Sequence, residues 1–237
     1  MSHPERSLER DTAIEAMLPH VPFDGWTRKA LSMGLADAGM PADEVDLLFP
    51  LGTADMVATF CDWADRRMEE AALALDETRL SRRVRAVIAL RFQQNREYKE
   101  AIRRAIGVLA LPGNARVAIG CTARTVDAIW YAAGDRSADF SWYTKRAILT
   151  AVYSASLLYW LRDTSEDDAD TMAFLDRRLA GVAGIGRFIP PSTTPASTMI
   201  VSRRAKSGVT SGVCTVSITA TTPARAPDRR TDRKSVV

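Results

Sequence analysis

Histidine is nearly missing from this chain. Only His3 and His20 occur among 237 residues, both near the N-terminus, which leaves little material for imidazole acid–base chemistry or metal ligation. Cysteine is scarce as well: Cys61, Cys121 and Cys214 are odd in number, far apart and without metal-ligand spacing. That argues against a disulfide framework or a zinc site and favours a reducing compartment. A P-loop, a G-x-S-x-G elbow, a Cys-His pair and the E-x-x-H ligand motif of di-iron bundles are all missing. The expectation is therefore a protein without catalytic residues, metal or cofactor. The N-terminal MSHPERSLERD lacks an apolar core, so no secretory signal is expected. The most apolar run, residues 147–161, falls short of a bilayer span. Both point to a cytoplasmic protein, at most peripheral to the inner face of the cytoplasmic membrane, with bacterial or mitochondrial origin left open.

What the chain does have is a large apolar fraction, 46%, enough to bury a substantial core. Its periodicity is helical throughout residues 8–183, with no convincing period-2 runs, so the predicted class is all-α. Nine helices are expected, over 8–18, 26–38, 42–48, 53–75, 78–93, 96–110, 114–133, 139–162 and 167–183. Between them fall Pro22 with Gly25, Gly39 with Pro41, Pro50 with Gly52, Pro112 with Gly113, and Gly134 with Asp135. Thr53 and Asn114 are the expected caps of the fourth and seventh helices. Residues 190–237 hold eight basic and two acidic side chains in a Ser/Thr/Pro-rich setting. This composition predicts a disordered basic tail.

Two helices carry the site predictions. In the fourth, Met56, Phe60, Trp63, Arg67 and Ala71 form the expected core stripe, with Asp62, Asp65, Arg66 and Glu69 toward water. In the eighth, Phe140, Ala147, Ile148, Ala151, Ala155 and Leu158 form one apolar face, read as the core stripe. Trp142, Leu149, Tyr153 and Trp160 form a second, nearly opposite. A helix with two apolar faces needs a second cover, from a subunit, a partner or a lipid. Near its start Asp139, Trp142, Tyr143 and Arg146 share a surface, a mixture as suited to an interaction hot spot as to a capped, packed helix end.

The segments TVDAIWYAAGD (125–135), SADFSWYTKRA (137–147) and FLDRRLAGV (174–182) resemble, in that order, the coenzyme Q biosynthesis accessory family, the ninth of the Coq proteins. The likeness extends over about residues 10–183. It implies a TetR-like fold in three parts: a degenerate helix-turn-helix region at 1–52, a lipid-binding and dimerisation domain at 53–184, and the tail at 185–237. It further implies a homodimer that binds an isoprenoid quinone or related lipid. Such a protein presents its lipid to the di-iron demethoxyubiquinone hydroxylase and catalyses nothing itself. By the same likeness Asp139, Trp142 and Tyr143 are the partner-binding patch. Val126, Ile129, Trp130, Ile148 and Val152 are the candidate lipid contacts. The tail, with Pro190, Pro191 and Pro195, departs from the amphipathic helix of mitochondrial members, which puts the mode of membrane contact in doubt.

The alternative is a TetR-type ligand-responsive transcriptional regulator. Against it, PADEVDLLF (41–49) carries Asp43, Glu44 and Asp46 and no basic residue where phosphate contacts would be needed, so nucleic acid is not the expected partner. The basic stretch 79–104, nine Lys/Arg against Glu97 and Glu100, reads as a solvated helix face.

Overall fold

In a computed structural model of the chain, residues 4–135 and 141–185 are described. They form α1 (Leu8–Met17), α2 (Val21–Asp24), α3 (Arg28–Asp37), α4 (Val45–Leu48), α5 (Thr53–Ala72), α6 (Leu80–Gln94), α7 (Lys99–Leu109), α8 (Ala115–Ala132), α9 (Ser141–Trp160) and α10 (Ala169–Ile185), with no strand among them. All nine predicted helices have a counterpart. The addition is α2, one turn inside a segment read as a break; Pro22 sits in its first turn, where the missing N–H costs nothing. Two predicted caps work differently. Gly52, not Thr53, precedes α5, and the Asn114 side chain donates to the Val108 carbonyl (2.8 Å) instead of capping α8.

Burial divides the interior into two apolar clusters. The first gathers Ile14, Met17, Leu31, Leu35, Phe49, Met56, Phe60 and Trp63 from α1, α3, α5 and the loop after α4. The second gathers Met68, Val87, Ile88, Phe92, Ile129, Leu149, Tyr153, Trp160 and Leu175 from α5, α6, α8, α9 and α10. Helix α5 serves both, Met56 to Trp63 in one and Met68 with Ala72 in the other. Arg10 fastens the first cluster: buried, it donates to the Leu48 carbonyl (2.7 Å), Asp55 (2.8 Å) and Thr59 (2.8 Å), and its guanidinium lies over Phe49.

Helices α1 and α3 cross at Gly34, where a side-chain carbon would stand 2.6–2.8 Å from the backbone of Ala16 and Met17. No rotamer change relieves a clash with backbone. Gly34→Ala is expected to cost about 3 kcal/mol, the upper end for overpacking, read as a lower urea midpoint at unchanged slope.

The sequence placed Asp62 and Asp65 toward water; both are buried, because α8 covers the second face of α5. Asp62 is held by Arg6 (2.7 Å) and Arg66 (3.0 Å). Burial alone would raise its carboxyl, but these hydrogen bonds outweigh it and keep it below the usual range. Asp163 ties the start of α10 in a similar way. It accepts from the backbone N–H groups of Ser165 and Thr171 (both 2.8 Å), and together with the two hydroxyls these bonds overcome desolvation to hold it far below an ordinary carboxylate. Asp163→Ala is expected to cost about 1 kcal/mol. Since the folded-state value is the depressed one, the lost contribution is present above the unfolded carboxylate's pKa near 4 and fades as pH falls; chemical denaturation at neutral and acid pH measures both.

Candidate functional site

The outer face of α9 is the reverse of the expected one. Leu149, Tyr153 and Trp160, read as the outward set, are buried in the second cluster. Ala147, Ala151 and Leu158, read as core, are exposed. Size explains the exchange: a stripe of alanines leaves the interior unfilled, whereas Tyr153 and Trp160 stack on Phe92 (ring centroids 6.1 and 5.1 Å) and fill it. Periodicity alone cannot choose between two apolar faces.

Of the five candidate lipid contacts, Trp130, Ile148 and Val152 are brought together. They line a cavity of about 230 Å³ between α6, α8, α9 and α10. Val126 and Ile129 do not reach it; they are packed in the second cluster. Leu80, Val84, Leu149 and Leu179 complete its apolar wall, and Ser81 and Lys145 also line it. Lys145 faces Asp135 at 3.4 Å. The indole N–H of Trp130 is buried and has no hydrogen-bond partner among the described residues. A slot with so apolar a wall suits a group that is mostly hydrocarbon.

Close by, at the start of α9, lies the aromatic patch. Asp139 falls outside the described residues. Trp142 is half-buried and Tyr143 is 72% exposed. Their rings meet edge to face at 4.7 Å, and the Arg146 guanidinium covers the Trp142 ring at 3.7 Å while pairing with Asp127. Trp142 is thus braced from its own helix and from α8, and Tyr143 is presented. A rigid aromatic with little rotamer freedom to lose is what a protein contact needs.

Farther along the outer face, Tyr159 stacks on Phe174 of α10 (4.6 Å), beside an open groove of about 440 Å³ that includes Ala155 and Leu158. The basic stretch is largely a solvated face, as read, with Arg79, Arg82, Arg96, Arg103 and Arg104 exposed, but seven of its nine basic side chains also bond within the chain. Arg83 donates to the carbonyls of Ala72, Leu75, Glu77 and Ala132. Arg85 pairs with Asp176, Arg91 with Asp65, and Arg96 and Lys99 with Asp168; Arg103 and Arg104 pair with Glu100. The acidic segment at 166–170 supplies a buried ion-pair partner in Asp168. At the other end, the helix expected over 42–48 is the one-turn α4, and its Asp46 pairs with Arg28. Among the described residues no three His, Cys, Asp or Glu side chains are grouped to hold a metal ion, and no single helix is long and apolar enough to cross a membrane.

Residues 115–186 match the COQ9 family model. The chain is 36% identical over 169 residues to the ubiquinone biosynthesis protein coq9, mitochondrial, of Schizosaccharomyces pombe, covering 70% of this chain and 66% of that one. It is 34% identical over 177 residues to the Drosophila melanogaster protein of that name (72% and 54%) and 29% over 182 residues to the human one (73% and 57%). It thus spans between about half and two thirds of the length of these relatives. Among solved structures, a TetR transcriptional regulator from Nitrosomonas europaea superimposes with a TM-score of 0.59 at 22% identity, over 75% of this chain and 99% of that one. The fold is TetR-like.

Proposed function

Because the chain belongs to the COQ9 family, we propose that it acts in ubiquinone biosynthesis as a non-catalytic lipid-binding accessory protein. It holds an isoprenoid quinone intermediate at the cavity between α6, α8, α9 and α10 and presents it to the demethoxyubiquinone hydroxylase through Trp142 and Tyr143. The observation that carries this reading is the cavity itself: Leu80, Val84, Trp130, Ile148, Val152 and Leu179 give it an almost wholly apolar wall. Each methylene buried there contributes about 0.8 kcal/mol. Its volume is below the roughly 300 Å³ of sites that enclose a drug-sized ligand, so it takes one end of a polyprenyl quinone and leaves the rest to emerge.

The exposed alanine and tyrosine face of α9 with α10 is the proposed homodimer surface, since Ala147 and Ala151 let a second backbone approach closely. The compartment is a reducing one beside the quinone-bearing membrane, mitochondrial as in the named relatives. The acidic one-turn α4 weighs against a DNA-reading regulator, which needs phosphate-neutralising groups there.

The test is mass spectrometry of organic extracts from protein purified out of its native host, beside an unrelated protein of similar hydrophobicity. Selective enrichment of isoprenoid quinones or their precursors is expected. Ile148→Trp, which fills the slot from a half-buried position, is expected to lower that enrichment roughly tenfold, or about 1.4 kcal/mol, with helicity unchanged. Lipid no richer than the control would end the carrier reading.

A further inference from the structure

Half-buried Cys61 on α5 and buried Cys121 on α8 line the same cavity where the two helices pack together. The register of the two helices fixes this. One turn beyond each cysteine, Asp65 and Thr125 face each other and are joined at 3.1 Å, so the cysteines are the next rung of the same ladder. That cavity, of about 120 Å³, is separate from the apolar slot. Arg124 Nη2 lies 3.3 Å from Cys121 Sγ.

We propose that Cys61 and Cys121 form a reversible redox pair whose oxidant is a small hydroperoxide, hydrogen peroxide in the simplest case. The two thiols are not equivalent. The neighbouring Cys61 thiol and the Arg124 cation pull the Cys121 thiol below its ordinary value, whereas proximity to Cys121 and burial push Cys61 well above its own. Cys121 is therefore the nucleophile and Cys61 the resolving thiol. The Cys121 thiolate attacks one peroxide oxygen and the O–O bond breaks. The departing hydroxide takes up the proton that Cys121 released and leaves as water, with Cys121 now a sulfenic acid. Cys61 sulfur then attacks Cys121 sulfur, the S–O bond breaks, and hydroxide departs with the Cys61 proton as a second water. Two thiols and one peroxide give one disulfide and two waters, with sulfur oxidised and peroxide reduced. A cavity of this size has room for a molecule little larger than water, whose share of liquid volume is about 30 Å³. The product is a covalent link between α5 and α8.

The experiment uses the full chain carrying Cys214→Ser, so that these two thiols remain, reduced and then exposed to hydrogen peroxide before alkylation and peptide mapping. A Cys61–Cys121 linked peptide is expected, with an intact mass lower by two hydrogens and full reversal by dithiothreitol. Adding Cys61→Ser should halt the reaction at a Cys121 sulfenic acid that dimedone traps. Adding Cys121→Ser should leave Cys61 reduced, and Arg124→Gln should slow disulfide formation several-fold. Complete alkylation of both thiols after peroxide treatment of the folded Cys214→Ser protein would overturn the proposal, a result that requires no core variant to fold. So would oxidation of Cys61 at equal speed with Cys121→Ser in place.

Discussion

Arg91→Met is expected to lower the unfolding free energy by about 3–5 kcal/mol, the cost of removing one partner from a buried ion pair. Arg91 is buried against Asp65, with Nη1 2.7 Å from Oδ1, and its Nε donates to the Tyr153 hydroxyl at 2.9 Å. Thr125 donates to the other Asp65 oxygen. Methionine fills much of the arginine's volume, so the loss measures charge and hydrogen bonding more than a cavity. What remains is a carboxylate in an apolar interior with one hydroxyl for company. Burial pushes Asp65 up to about 6 even against the pull of Arg91 and Thr125; without Arg91 it rises further. A carboxyl whose folded value exceeds its unfolded one destabilises as it ionises, so its contribution is best below pH 4 and is lost as pH rises through the folded value. The variant's deficit should therefore grow from acid toward neutral pH in denaturant titrations. Adding Asp65→Leu should recover most of it, because an apolar pair of similar volume replaces an ionic one at little cost. A single variant as stable as the parent at pH 7 would mean that the pair holds nothing together.

Tyr143→Ala is expected to weaken binding to the demethoxyubiquinone hydroxylase by about thirtyfold, the 2 kcal/mol of an interface hot spot, with no change in the unfolding midpoint. The separation rests on position. Tyr143 is 72% exposed, so truncating it removes little from the interior, whereas Trp142 is held by Arg146 and Tyr143 and its replacement disturbs both. Trp142→Lys should abolish the contact through charge as well as lost area, again with the helical fold intact. Surface plasmon resonance against the immobilised enzyme, paired with circular dichroism, distinguishes lost docking from lost folding. Unchanged affinity in both variants would remove the patch assignment.

Much of the architecture was legible from periodicity and punctuation. The helices fell between Gly and Pro clusters as local chain stiffness requires, and the extra α2 escaped because proline inside a first turn reads like proline in a loop. Faces were harder to read. The burial of Asp65 depends on Thr125, sixty residues away, and that of Asp62 on Arg6, fifty-six away; no local pattern announces such partners. On α9 the two apolar faces gave the helical period no preferred direction, and side-chain volume was the cue that separates Tyr153 and Trp160 from Ala147 and Ala151. The site was partly visible. Trp130 lies in a quoted motif segment and Ile148 and Val152 just beyond another, on the apolar run of the same helix, while Leu80 and Val84 lie in a stretch dominated by its arginines. Leu179 sat inside a quoted motif without a reason to choose it.

The position of α5 in both apolar clusters sets how the molecule comes apart. A helix whose first half closes one core and whose second half closes the other cannot be released from either without weakening both. The two halves of the body accordingly share one cooperative transition, and amide hydrogens at the centre of α5 exchange with solvent only when the whole body opens.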